Sequence, residues 1–203
     1  MKAVLISINP NWCAQIANGN KVLEVRKNRP KLDTPFRCYI YCTAGAPYLV
    51  YGDVFRGGSW DSEYTVTHGR SKQEADRLWG IMNGKIIGEF ICNKITEFDV
   101  PYPAYQKELD KGILEQSCLT YYQLHRYAYH KKLYGWHISD LVIYDEPKPL
   151  SSLYKECEGL YNTGLCWECE RAVGEECDCA ANGRLYLTRP PQSWCYVEGL
   201  NGL

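Results

Sequence analysis

The segment spanning residues 84–100, GKIIGEFICNKITEFDV, alternates apolar and polar side chains along its length. A period of two dictates a β-strand that has to bury one face, and a strand this long needs partners. Other segments supply them. Lys2 to Ile8 reads as a buried strand, and RCYIYCT, within 36–43, is rich in β-formers. WHISDLVIY at 136–144 is a further strong strand, and 21–27 alternates with Val22 and Val25 out of phase by one, which calls for a bend or bulge. Short helices fall between the strands. Pro10 suits the first turn of a helix over 10–18, with Trp12, Cys13 and Ile16 inward and Gly19 placed to stop it. Ser71 and Glu74 form a capping box for a helix to Trp79, and Thr120 caps a helix over 120–128. Residues 44–70, rich in Gly, Ser and Tyr, are expected to form a loop or an irregular hairpin. The fold class is α+β.

Length and charge limit the functions open to such a chain. Its 203 residues suffice for one core-forming domain and an appendage. A net charge of −1 supplies no global field, so nucleic-acid binding would have to come from a local patch. No apolar run approaches the roughly 18 residues of a membrane span, and the short run before Pro10 reads as a strand, not a signal peptide. The expected compartment is the cytoplasm, where the 11 cysteines would be thiols or metal ligands.

Chemistry concentrates in GNKVLEVRK. Glu24 and Arg26 are two apart, so a strand presents them on one face, and a bend near Gly19–Val22 is needed to bring Lys21 to them. Converging in a cleft, Lys and Arg would supply charge and donors to a phosphate, and Glu would accept from an exocyclic amine. The same trio could perform acid–base catalysis through Lys21 and Glu24. The bland alternative is a solvated strand face with an ordinary ion pair. An exposed pair contributes about 0–1 kcal/mol, so Lys21→Ala is expected to leave the melting temperature nearly unchanged.

Gly19, Lys21, Glu24 and Arg26 match the G-x-K-x-x-E-x-R signature of ASCH domains, which are relatives of the PUA domain. The preceding strand and helix, RCYIYCT, the central 84–100 ribbon, YGWHISDLVIY and the tail PPQSWCYVE resemble that family's bacterial and prophage members in order. The resemblance covers about residues 1–150 and 190–198. It implies a PUA-like bent mixed β-barrel over 1–150, with strands 2–8, 21–27, 36–43, 84–98 and 136–144. It also implies a site that binds RNA, single-stranded nucleic acid or a modified nucleoside or nucleotide. One branch of the family resembles an amidohydrolase of N4-acetylcytidine that uses the motif's lysine, a threonine three residues on and a distal glutamate. Lys21 matches the lysine, Glu24 stands where the threonine would be, and Glu89 or Glu97 fits the distal glutamate by order alone. A third possibility is a prophage accessory protein that binds a host protein through an exposed apolar patch.

Around the signature, Tyr41, Thr43, His137 and Ser139 are candidates for the cleft, and Trp60 on its Gly-rich segment is a candidate stacking contact. Tyr41 and His137 are equally readable as strand residues. Residues 151–203 change character, with Cys, Glu and Gly rising as Ile and Val nearly vanish. Cys166 and Cys169 form a C-x-x-C pair and Cys177 and Cys179 a C-x-C pair, with Cys157 upstream. Four thiolates from this set suit a structural zinc that would order a segment without its own core, while the terminal strand docks back on the barrel. Free thiols on a loop, or a disulfide pair formed during purification, are the alternatives.

Overall fold

A computed structural model describes residues 2–156, 165–166, 171–172 and 184–198. In chain order the elements are β1 (Lys2–Ile8), α1 (Pro10–Ala17), β2 (Leu23–Arg26), β3 (Phe36–Cys42), β4 (Tyr48–Arg56), β5 (Ser59–Thr67), α2 (Lys72–Trp79) and β6 (Ile86–Phe98). After these come α3 (Lys111–Ser117), α4 (Tyr121–Ala128), β7 (Leu133–Lys148), β8 (Tyr154–Glu156), β9 (Leu165–Cys166), β10 (Arg171–Ala172), β11 (Arg184–Tyr186) and β12 (Trp194–Glu198). No helix is long and apolar enough to cross a membrane among the described residues.

Eight strands form one sheet in the order β11-β8-β12-β1-β3-β6-β7-β2. β1 and β3 run parallel, while β3–β6, β6–β7 and β2–β7 are antiparallel. The ladder between β6 and β7 shifts register three times. Such bulges add bend and twist, and they let two long strands curl instead of lying flat. The curl brings β2 back toward β1, although three strands lie between them in the sheet, and the Arg26 guanidinium donates to the Ser7 carbonyl at 2.7 Å. No ladder joins β2 to β1 among the described residues, so the expected barrel is realised as a rolled, open sheet.

Both faces of the sheet are covered. Val4, Ile6 and Ile8 of β1 join Cys38, Ile40 and Cys42 of β3, Trp136 of β7 and the inner side of α1 in the main core. The alternate residues Ala3, Leu5, Tyr39 and Tyr41 enter a second core with Leu153, Leu187 and Val197. A third cluster packs α4 and Leu109 on Val25 and Leu133. The last of these matters most for function, because it seats α4 beside β2.

Local chemistry explains the punctuation. Asn9 caps α1 by accepting from the Asn11 amide, Pro10 takes the first turn, and Gly19 follows at φ 74. Both expected caps are present: Ser71 with Glu74 on α2, and Thr120 with Gln123 on α4. The stretch 44–70 is more regular than its composition suggests. β4 and β5 pair throughout, from Tyr48–Thr67 to Arg56–Ser59. Gly57 and Gly58 turn the chain at φ 57 and 92, the two-residue hairpin turn that matches strand twist.

Candidate functional site

Gly19 lets the chain leave α1 in a left-handed conformation that few other residues tolerate. The next residues stay outside the β2 ladder, and this swings Lys21 round to the face that holds Glu24 and Arg26. The three side chains line one cavity of about 380 Å³ with Ser7, Ile8, Asn9, Trp12, Val25, Leu119, Gln123 and Tyr127. The lining comes from β1 and the start of α1, from β2, and from α4 with the residue Leu119 shortly before it.

Burial sets the energetics of this trio. Lys21 is 2% exposed, Glu24 6% and Arg26 9%, so the solvated strand face does not describe them. Buried charges persist only when paired and hydrogen-bonded. Lys21 Nζ donates to the carbonyls of Leu23 at 3.0 Å and Ser117 at 2.7 Å, and lies 3.4 Å from Glu24 Oε2. It also sits 5.4 Å from the centre of the Trp12 ring. Arg26 Nη2 meets Glu24 Oε1 at 3.0 Å and the Ser7 carbonyl at 2.7 Å, and Nη1 donates to Ser193 Oγ at 3.3 Å. Arg26 Nε is buried without a partner. Two cations share one carboxylate, so the trio carries a net positive charge. Lys21 donates to two carbonyls and forms an ion pair with Glu24. Arg26 keeps N–H capacity, and each Glu24 oxygen keeps a lone pair beyond its one cation.

The aromatic wall is tuned by the same charges. Burial pushes the Tyr127 phenol up, Arg26 opposes this, and Glu24 adds to it. The Lys27 ammonium stands over the Tyr127 ring, 4.9 Å from its centre. Beneath the trio, burial and its neighbour Cys42 push the Cys13 thiol well up, which suits a packed side chain more than a nucleophile.

The other sequence candidates lie elsewhere. Tyr41 is in the second core, on the opposite side of β3 from Cys42, because alternate strand residues face opposite ways. Thr43 follows β3, half-buried, with its N–H bonded to the Ile8 carbonyl. Trp60 is exposed near the tip of the β4–β5 hairpin. His137 Nε2 hydrogen-bonds with Thr96 Oγ1 at 2.9 Å, and Ser139 Oγ donates to the Ile91 carbonyl at 3.0 Å. None of these five lines the cavity. Glu89 is engaged by Arg37 and by the Tyr144 hydroxyl at 2.6 Å, and Glu97 by Lys132 at 2.6 Å. Neither reaches the trio. Cys157, Cys169, Cys177 and Cys179 lie outside the described residues, and only the backbone of Cys166 is described, in β9. Among the described residues no group of three or more His, Cys, Asp or Glu is placed to hold a metal.

Trp12, Gln123 and Tyr127 are among the cavity residues that the sequence did not flag as site residues. Gln123 and Tyr127 are four apart and therefore share one face of α4. That spacing was legible, but the packing of α4 against β2 was not.

No protein-family model and no curated protein sequence matches the chain. Solved structures do. The chain is similar to the crystal structure of ASCH from Zymomonas mobilis, at 17% identity and a TM-score of 0.52, over 97% of this chain and 87% of that one. A point mutant of that Zymomonas mobilis protein matches at 16% identity and a TM-score of 0.52, over 97% and 88% of the two chains. At this identity the likeness shows a shared fold.

Proposed function

On the ASCH-type fold of this chain, we propose an RNA- or nucleotide-binding protein that takes a nucleobase into the cavity beside Glu24 and Arg26. The observation that supports this reading is the pairing of free donors on Arg26 with free lone pairs on Glu24 in one cavity. A base edge that carries a ring acceptor next to an exocyclic amine complements such a pair. Trp12 and Tyr127 offer rings to stack on, and the net positive trio with Lys27 at the rim suits a phosphate. The volume, about 380 Å³, falls within the roughly 300–1,000 Å³ of small-molecule sites.

The test is calorimetric titration with the four nucleoside monophosphates and a short single-stranded RNA. Glu24→Gln keeps the size of the side chain but replaces one acceptor by a donor. It should weaken binding of amine-bearing bases about tenfold or more, and that of uracil less. No binding of any nucleotide or RNA at millimolar concentration would remove the reading. Hydrolysis of N4-acetylcytidine by the wild type would replace it with the amidohydrolase. The geometry favours that alternative less. Lys21 is spent on carbonyls and Glu24, and the hydroxyls of Ser7 and Ser117 are turned to the carbonyls of Pro191 and Leu114. For the Cys-rich extension we propose one structural zinc, held by Cys166 and Cys169 with two of Cys157, Cys177 and Cys179.

A further inference from the structure

α4 carries a second feature outside the cavity. At about 100° per residue, the order round its exposed side is Tyr127, Gln123, Arg126, Tyr122, His125. The first two line the cavity. Arg126 is exposed and Tyr122 is 69% exposed. Beyond them the rings are continuous. Tyr122 stands edge-on to Tyr121 at 5.4 Å, Tyr121 stacks on His125 at 5.7 Å, and His125 is 6.4 Å from His130. His130 in turn touches Tyr102 at 5.8 Å and Tyr129 at 5.6 Å, and these two are 64% and 75% exposed.

Large rings left in water at this density, with cations among them, are not explained by folding. The buried side of α4 is supplied by Tyr121, Leu124 and Ala128. Lys27 at the cavity rim and Arg126 beside Tyr122 provide positive charge along the path, while Lys132 is taken up by Glu97. Alternating rings and cations match a chain of bases and phosphates, since every base has a face to stack and every phosphate a charge to meet. Tyr and Arg are also common at protein interfaces, and what favours a nucleic acid here is that the surface continues from the cavity read as a base site along the same helix.

We infer that the exposed face of α4, from Arg126 over Tyr122 to the His130–Tyr102 cluster, is a track for a single-stranded nucleic acid, one base of which occupies the cavity. This rests on the nucleotide reading of the cavity. The first phosphate outside the cavity meets Arg126, and the neighbouring base stacks on Tyr122.

Length dependence tests it. A mononucleotide carrying the preferred base and oligoribonucleotides of three and six residues would be titrated against wild type, Tyr122→Ala/Tyr102→Ala and Arg126→Ala. The six-residue strand should bind about tenfold tighter than the mononucleotide, and the double variant should lose that gain. Mononucleotide affinity should be the same in both proteins, which also shows that the variant is folded. Arg126→Ala should lower the slope of log K against log salt by about 0.7. A mononucleotide that binds with no gain on lengthening, or a gain that survives the double substitution, overturns the track and leaves the cavity reading intact. Failure of the mononucleotide to bind overturns both.

Discussion

Lys21, Glu24 and Arg26 answer to stability as well as to a ligand. Had they been exposed, removing Lys21 would have cost little. With Lys21 2% exposed and bonded to two backbone carbonyls, Lys21→Ala leaves two buried acceptors without their donor and Glu24 with Arg26 as its one remaining cation. The expected loss is about 3–5 kcal/mol, the cost of breaking a buried pair, and urea denaturation measures it. A loss below about 1 kcal/mol would place the trio in solvent. Ligand-binding variants at this position must therefore be checked for folding first, and so must Glu24→Gln, which removes the one carboxylate that Lys21 and Arg26 share. His137 offers a pH test. Burial, with Lys94 nearby, lowers its proton affinity below the ordinary value of 6.5. The unfolded chain then takes up the proton before the folded one as pH falls. Its contribution is present above that value and lost below it. Between about pH 7.5 and about pH 5.5 the urea midpoint should drop further in wild type than in His137→Gln. Equal drops would contradict the assignment.

Among the elements, the β6–β7 pair decides the curl of the sheet. Gly88 marks one of its register shifts, and a Cβ there would run into the Val142 carbonyl, backbone that cannot rotate away. At Gly135 the added atom would meet the Leu23 side chain, 2.9 Å away at the nearest. Gly88→Ala should therefore cost about 1–3 kcal/mol or more. Gly135→Ala should cost less, as read from the two melting transitions. A reversed order would mean that the bulge is not where the sheet bends. Much at this scale was legible in the sequence. An apolar run placed β1, β-forming residues placed β3 and β7, a period of two placed β6, and Thr120 marked the start of α4. The β4–β5 hairpin was less so, because its strands are largely polar and show little periodicity, while Gly57–Gly58 was the one turn signal. α3 was harder still. Lys111–Ser117 is a short helix with a glycine at its second position, started by Asp110 accepting from the Gly112 amide.

For the whole molecule, the C-terminal part completes the sheet. β12 pairs with β1 along Lys2–Ile6, and Ser193, just before it, contacts both Arg26 and the chain at Ser7. The cavity is thus supported by residues from both ends of the chain. The proposed zinc belongs to the same region. Elemental analysis of reduced, purified protein should find about one zinc per chain, lost on Cys166→Ser/Cys169→Ser. Less than about a tenth of an equivalent would make these cysteines free thiols.

The sequence alone carried β1, β2, β3, β6 and β7, the helix caps, the Gly19 turn and the grouping of Glu24 with Arg26, because each is written in neighbouring residues through composition, a period, a cap or a spacing. The tertiary structure decided the rest. It buried the trio, because the curl of the sheet carries Arg26 to the Ser7 carbonyl and α3 brings the Ser117 carbonyl to Lys21. It assigned Tyr41 to a second core, because the C-terminal residues cover that face of the sheet. It brought Gln123 and Tyr127 into one cavity with Trp12, because Leu124 and Ala128 pack into the cluster that includes Val25 of β2. These contacts join residues far apart in the chain, and no local pattern in either partner encodes which surface it will meet.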